Sequence, residues 1–184
     1  MKNKFNIRIA LFGLFVLLAA LSRLIPHPPN FTPIGGMALF GAAYLGRKYL
    51  AILLPVLAIW ISDLVLNNTL YSAWFDGFSW FGVPMVYLGV IAIALMGSRV
   101  LQKVKTKNII ISSLLASLIF YLITNLGSWW MDPIYTKDFA GVLAAYIAGI
   151  PFFLNTIAGD LFFTGVFFGS YALLKKQYPL FAIG

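Results

Sequence analysis

Apolar residues in this chain run on for about twenty positions at a time, broken by short polar or proline-rich connections. A bilayer-spanning helix needs about 20 such residues. The first run extends from Ile7 to Ile25. Arg23-Leu24-Ile25-Pro26 closes it where a cleaved leader would have small residues, so it reads as a retained helix. The connection His27-Pro28-Pro29-Asn30-Phe31-Thr32 follows. Thr32 is suited to cap a second helix with Pro33 at its first position. That helix runs to about Gly46 and is short, about 14 residues or ~21 Å. The third run is Tyr49 to Leu66. An aromatic loop with Tyr71, Trp74, Phe75, Phe78 and Trp80 leads to the fourth, about Phe81 to Val100. The fifth is Ile109 to Trp130. The last stretch, Gly141 to Leu174, is 34 residues with Pro151 inside. That is too long for one span, and it predicts a short outer helix over 140–150 followed by a sixth span over 152–174.

The pattern predicts an all-α polytopic membrane bundle of six transmembrane helices, plus the short outer helix before the last span. No linker or internal repeat divides the chain, so residues 1–184 read as a single transmembrane domain. Composition agrees: 61% of residues are hydrophobic and 10% charged, where a soluble domain carries about 25% charged residues. A soluble globular protein and a disordered chain are both excluded. The chain has no cysteine, no glutamate and one histidine. Disulfides, thiolate metal sites and a cysteine nucleophile are excluded with them, and the expectation is no cofactor and no metal.

The net charge of +8 does not point to nucleic acid, because the basic residues sit at the ends of apolar runs. With both termini in the cytoplasm, the inside holds Lys2, Lys4, Arg8, Arg47, Lys48, Arg99, Lys103, Lys105, Lys107, Lys175 and Lys176. The outside holds Arg23 and Lys137. Eleven against two fits the rule that cytoplasmic connections are basic.

Polar residues concentrate at the outer ends of the runs. Arg23 closes the first, Asp63 lies near the end of the third, and Asn125, Ser128 and Trp129 near the end of the fifth. Asn155 and Thr156 open the sixth, with Asp160 about a turn deeper, while His27 and Asn30 lie in the first outer loop. Ionisable groups at membrane depth are costly and mark function or pairing. Arg23 and Asp63 are either a structural pair or substrate contacts. Asp160 is either a ligand or gating group or a buried helix tie. Asn125 is interhelical glue or a ligand contact, and His27 is a solvated loop residue or a ligand-binding imidazole. The tryptophans form an interfacial belt or stack on a ring. Small residues at Ala38 and Ala42, at Gly141, Ala145 and Gly149, and in Gly165-Val166-Phe167-Phe168-Gly169 let helices approach closely. They either pack the bundle or dock a second membrane protein.

Walker, HExxH and GxSxG motifs are absent, and the expectation is a protein that is not an enzyme; the rival reading is a membrane-embedded enzyme with Asp63 or Asp160 and His27 as acid and base. A channel needs a polar line through the whole membrane, whereas the cytoplasmic half here is Leu, Ile, Val and Phe. A one-sided pocket fits a substrate-capturing protein. The expected site is Arg23, His27, Asn30, Asp63, Asn125, Trp129, Asn155 and Asp160, with the last two, His27 and Asn30 lining one cavity under the first loop. Aromatics of the loop before Trp80 are expected to close it from above.

The segment Ser22 to Ala42, containing Arg23-Leu24-Ile25-Pro26-His27-Pro28-Pro29-Asn30-Phe31-Thr32-Pro33, resembles the signature of a family of small bacterial membrane proteins of undetermined function. Ser62-Asp63-Leu64-Val65 and Ile150 to Phe162 resemble its other two blocks. That family is in turn similar to the substrate-binding S-components of energy-coupling factor (ECF) vitamin transporters. The resemblance implies a six-helix protein in a bacterial inner membrane that binds a vitamin-like micronutrient near the outer face, with the loop after helix one as a gate. It implies as partners a small-molecule ligand, the lipid bilayer, and a transmembrane coupling protein with ATPases. At the S-component docking spacing Ala10 is followed by Leu14, so a solitary form is the other expectation.

Overall fold

The computed structural model describes residues 13–14, 17–45 and 48–178. The start of the first apolar run at Ile7, its flank of Lys2, Lys4 and Arg8, the docking position Ala10, and Arg47 all lie outside the described residues. Six helices are present: α1 (helical at 13–14 and 17–22), α2 (Ile34–Tyr44), α3 (Lys48–Asn68), α4 (Pro84–Val100), α5 (Thr106–Met131) and α6 (Phe139–Gln177). A short 3₁₀ turn, Ser72–Trp74, interrupts the loop between α3 and α4. Among the described residues, three helical stretches are long and apolar enough to cross a membrane: Tyr49–Asn68, Thr106–Met131 and Phe139–Gln177.

Successive helices alternate in direction. Gly41 faces Ala51 across the α2–α3 turn, Gly97 meets Leu39 and Ala42, and Ser117 meets Asp160. One end of the bundle therefore carries the segments 23–33, 69–83 and 132–138. The other carries 101–105 and the end of α6. Arg99, Lys103, Lys105, Lys107, Lys175 and Lys176 gather at the second end, and Arg23 and Lys137 at the first.

α2 is the axis. Every residue from Ile34 to Gly41 is buried, and the helix touches α3, α4, α5 and α6. A helix apolar all round belongs inside. Small residues let its neighbours close in, since hydrocarbon tails give helices little hydrophobic reason to associate and close packing must do it. A Cβ on Gly36 would press on the Thr164 backbone at 2.9 Å. Below this, Phe40 packs edge-on against Tyr44 and Phe168 at 5.0 and 5.3 Å.

The exterior inverts the soluble pattern. Leu21, Ile61, Leu118, Leu154 and Leu173 are exposed, while Ser62, Asp63, Ser112, Ser113, Ser117, Thr156, Asp160 and Thr164 are buried.

Two expectations are corrected. α6 is one continuous helix of 39 residues with Pro151 inside, not an outer helix over 140–150 broken from a span over 152–174. Proline removes one backbone bond and crowds the preceding turn. The carbonyl left without its helical N–H is that of Ile147, and one residue before it α6 is tied to α5, as the Tyr121 hydroxyl donates to the Tyr146 carbonyl at 2.6 Å. The cap of α2 is Pro33 itself, with no side-chain cap bond from Thr32. α2 also stops at Tyr44 and spans about 16 Å, so the segment before it fills the remaining depth of the bundle.

Candidate functional site

The first loop descends between the helices. Asn155 Nδ2 donates to the Pro29 carbonyl at 2.9 Å. Phe31 N–H donates to Pro28 O, and Thr32 N–H to Asn30 O, at 3.0 and 3.1 Å. Asn30 has φ +63°, a left-handed conformation that Asn tolerates better than most residues. The Phe31 ring sits on Phe162 and Phe163 at 5.8 and 5.5 Å. Gly159 gives the loop its bed, because a Cβ there would meet the Thr32 nitrogen at 3.0 Å.

Beside this loop lies a cavity of about 370 Å³ between α4, α5 and α6. Asn30 lines it, with Asn125, Thr124 and Ser128 of α5, Tyr135 of the α5–α6 turn and Thr156 of α6. Phe120, Tyr121, Phe152 and Phe153 supply aromatic walls. Gly149 makes room for the Asn125 carboxamide, which a Cβ at that position would overlap.

Deeper in the bundle is a second chamber of about 10 Å³, bounded by Thr32, Ile34, Gly35, Ile93, Phe120, Thr156 and Asp160. That is room for about one water. Asp160 is 3% exposed and accepts from Ser117 Oγ at 2.6 Å. A Cβ on Gly35 would fall inside its carboxylate. Further from the first loop, the Ser113 and Thr164 hydroxyls are buried without a hydrogen-bond partner among the described residues.

Of the expected site residues, the structure brings Asn30 and Asn125 to the large cavity. Asp160 is not on that wall. It lies at mid-depth, facing Ser117, which is about 16 Å from one end of α5 and about 21 Å from the other. The expectation of one cavity for Asp160, Asn155, His27 and Asn30 is corrected to two chambers sharing Thr156 and Phe120. The reason is α6: unbroken at Pro151, it carries Asp160 deeper than a helix starting there. Asn155 anchors the loop rather than lining the cavity. His27 Nδ1–H donates to Pro28 O at 2.9 Å and also lies off the wall.

Trp129 Nε1 donates to Thr136 O at 2.9 Å, closing the α5–α6 turn. Lys137 Nζ donates to the Asp132 carbonyl at 2.9 Å and to the Trp129 carbonyl across the same turn. The expected aromatic cover is likewise absent from the wall: none of Tyr71, Trp74, Phe75, Phe78 or Trp80 lines the cavity.

Arg23 and Asp63 pair elsewhere, at 2.8 Å. Arg23 also donates to Ser62 Oγ and to Ile59 O, while the Tyr87 hydroxyl donates to the second Asp63 oxygen at 3.0 Å. The pair ties α1, α3 and α4. Asp138, outside the helices, caps α6 by accepting Gly141 N–H at 2.8 Å. That bond, with a second from the Thr136 hydroxyl, holds its carboxyl below the ordinary value.

Sequence reasoning passed over Thr124, Tyr121 and Ser117. Their signal was present: Ser113, Ser117, Tyr121, Thr124 and Ser128 recur at three- and four-residue spacing, one stripe of a helix.

Together the helical bundle, the apolar exterior and three helices long enough to cross a bilayer fit the class of helical membrane proteins, with an open-mouthed cavity of small-molecule size. The chain belongs to DUF6580, a family of unknown function, whose model matches residues 3–181. No curated protein and no solved structure matches it.

Proposed function

We propose that this protein is a membrane-embedded substrate-binding protein that captures a small organic micronutrient at the outer face, in the manner of an S-component. The observation that carries this reading is the cavity of about 370 Å³ beside the first loop. Concave, mostly apolar walls with a few polar groups are what small ligands use. The reading includes six passes through a bacterial cytoplasmic membrane with both termini inside, supported by the alternating helix directions and the basic residues at one end. The passes require the non-helical segment 23–33 to complete α2's crossing. Such backbone is tolerated at depth where protein covers it, and Asn155 and Phe163 of α6 provide that cover. Uptake extends the proposal, with either a coupling protein and ATPases or the solitary form.

Native mass spectrometry after mild-detergent extraction tests it. The expected result is a retained mass of one small molecule, lost on Asn30→Gly, which keeps the left-handed backbone and removes the amide. A wild-type chain with no retained mass that takes up no ligand overturns it.

One observation favours a second reading, an assembly partner. Gly165 and Gly169 have no atom of the described residues within 4 Å of an added Cβ, so this GxxxG packs against none of the described helices. By contrast Gly149 and Ala38 are used internally. A partner recovered from the membrane with the wild-type chain and lost on joint replacement of both glycines by isoleucine supports it.

A further inference from the structure

Four hydroxyls around the cavity share one property. The Thr124 hydroxyl donates to Phe120 O at 2.8 Å, Ser128 to Thr124 O at 3.2 Å and Thr156 to Phe152 O at 2.9 Å. Tyr121 donates to Tyr146 O. A hydroxyl has one proton and two lone pairs, so each of these offers the cavity lone pairs only. Asn125 commits one N–H to Tyr121 O at 2.8 Å, and its oxygen lies against Gly149.

Charge is missing from the wall. None of its sixteen residues is Arg, Lys, His, Asp or Glu. Arg23 is paired with Asp63, Lys137 bonds carbonyls at the turn, and Asp160 belongs to the chamber below. An anion here would find the amide donors of Asn30 and Asn125 but no counter-charge, and a cation would find no carboxylate. Desolvating either without a partner is costly. The walls add flat apolar faces, with Tyr121 and Phe153 at 4.5 Å and 31°.

We propose that the cavity takes an uncharged, ring-bearing organic molecule whose edge carries N–H or O–H donors. This ligand class rests on the binding-protein reading and narrows it. The ring lies among the aromatic walls, and its donors meet the hydroxyl oxygens of Thr124, Thr156 and Ser128. Asn30, whose side chain makes no bond among the described residues, answers an acceptor on the same molecule.

The test compares charge states on one ring, read as the melting temperature of the full chain in detergent. One set is 6-hydroxymethylpterin against pterin-6-carboxylate. The other is nicotinamide against nicotinate and the 1-methylnicotinamide cation. Binding to the folded state raises the melting temperature with ligand concentration. The neutral members are expected to raise it and the charged members not. Thr124→Val and Thr156→Val keep the shape and remove an acceptor, and each is expected to weaken the apparent affinity about five- to tenfold. A charged member that stabilises as well as its neutral counterpart overturns the ligand class and leaves the binding reading standing. Failure of both neutral members while a charged one stabilises does the same. Failure of every member overturns both.

Discussion

The Arg23 guanidinium and the Asp63 carboxylate meet at 2.8 Å with every surrounding group arranged to hold them. Ser62 and the Ile59 carbonyl take further guanidinium protons, and Tyr87 donates to the free carboxylate oxygen. The pair joins α1 to α3, and neither residue lines the cavity. Breaking one side of a buried pair costs about 3–5 kcal/mol, because the remaining charge loses its partner. Asp63→Ala is expected to destabilise the folded chain by about that much. Replacing both residues with apolar ones of similar size is expected to recover most of it. Denaturant unfolding in detergent of the single and double variants checks this, and equal losses would show that the two residues do not act as a pair.

Gly35 gives the second prediction. Its missing side chain is what lets the Asp160 carboxylate approach α2. Gly35→Ala overpacks that contact, at a cost of about 1–3 kcal/mol. The added change Asp160→Ala opens the space the new methyl needs. The double variant is therefore expected to fall short of the sum of the two single losses, as measured in a double-mutant cycle.

Asp138 gives a pH dependence. Its carboxyl is held below the ordinary value by the Gly141 N–H and the Thr136 hydroxyl. A lowered folded-state value means the stabilisation is fully present above the unfolded value of about 3.8. It fades as pH falls through the folded value. Hydrogen exchange at the Gly141 amide is expected to quicken below about pH 4, relative to amides in mid-α6. Asp138→Asn, which caps without titrating, is expected to remove that added acid sensitivity.

Topology can be read without background, since the chain has no cysteine. A cysteine at Ser79 is expected to react with an impermeant maleimide from the outside, and one at Thr106 only after the membrane is opened. Labelling in the opposite sense would invert the orientation.

Much of the architecture was legible because a bilayer leaves so few options. The apolar run Ile109–Trp130 became α5 with three residues added before it and one after. Arg23 and Asp63 were readable as a pair because either alone at that depth is expensive. Pro151 misled, since a proline usually ends a helix in water, while here it costs one backbone bond within a helix of 39 residues that packs along α5. That one misplaced break moved Asp160 out of its true level and merged two chambers into one. The acceptor stripe on α5 went unread for a different reason. Serine and threonine are common in membrane helices and usually bond their own backbone. Only the cavity shows which of their oxygens face an open space.

The central position of α2 has a consequence for how the chain is made. At 11 residues it is too short to be threaded into hydrocarbon as an independent span. The walls that enclose it, α3, α4, α5 and α6, are all synthesised after it. Gly35 and Gly36 receive their neighbours on α6 only when the ribosome has added more than 120 further residues. Until then the segment Ile34–Tyr44 must wait beside α1 with its flanks in lipid or against the insertion machinery. A chain halted before residue 139 therefore lacks more than its last helix: it leaves the first loop without its seat on Asn155 and Phe163, and the early part of the protein unfinished along with the late.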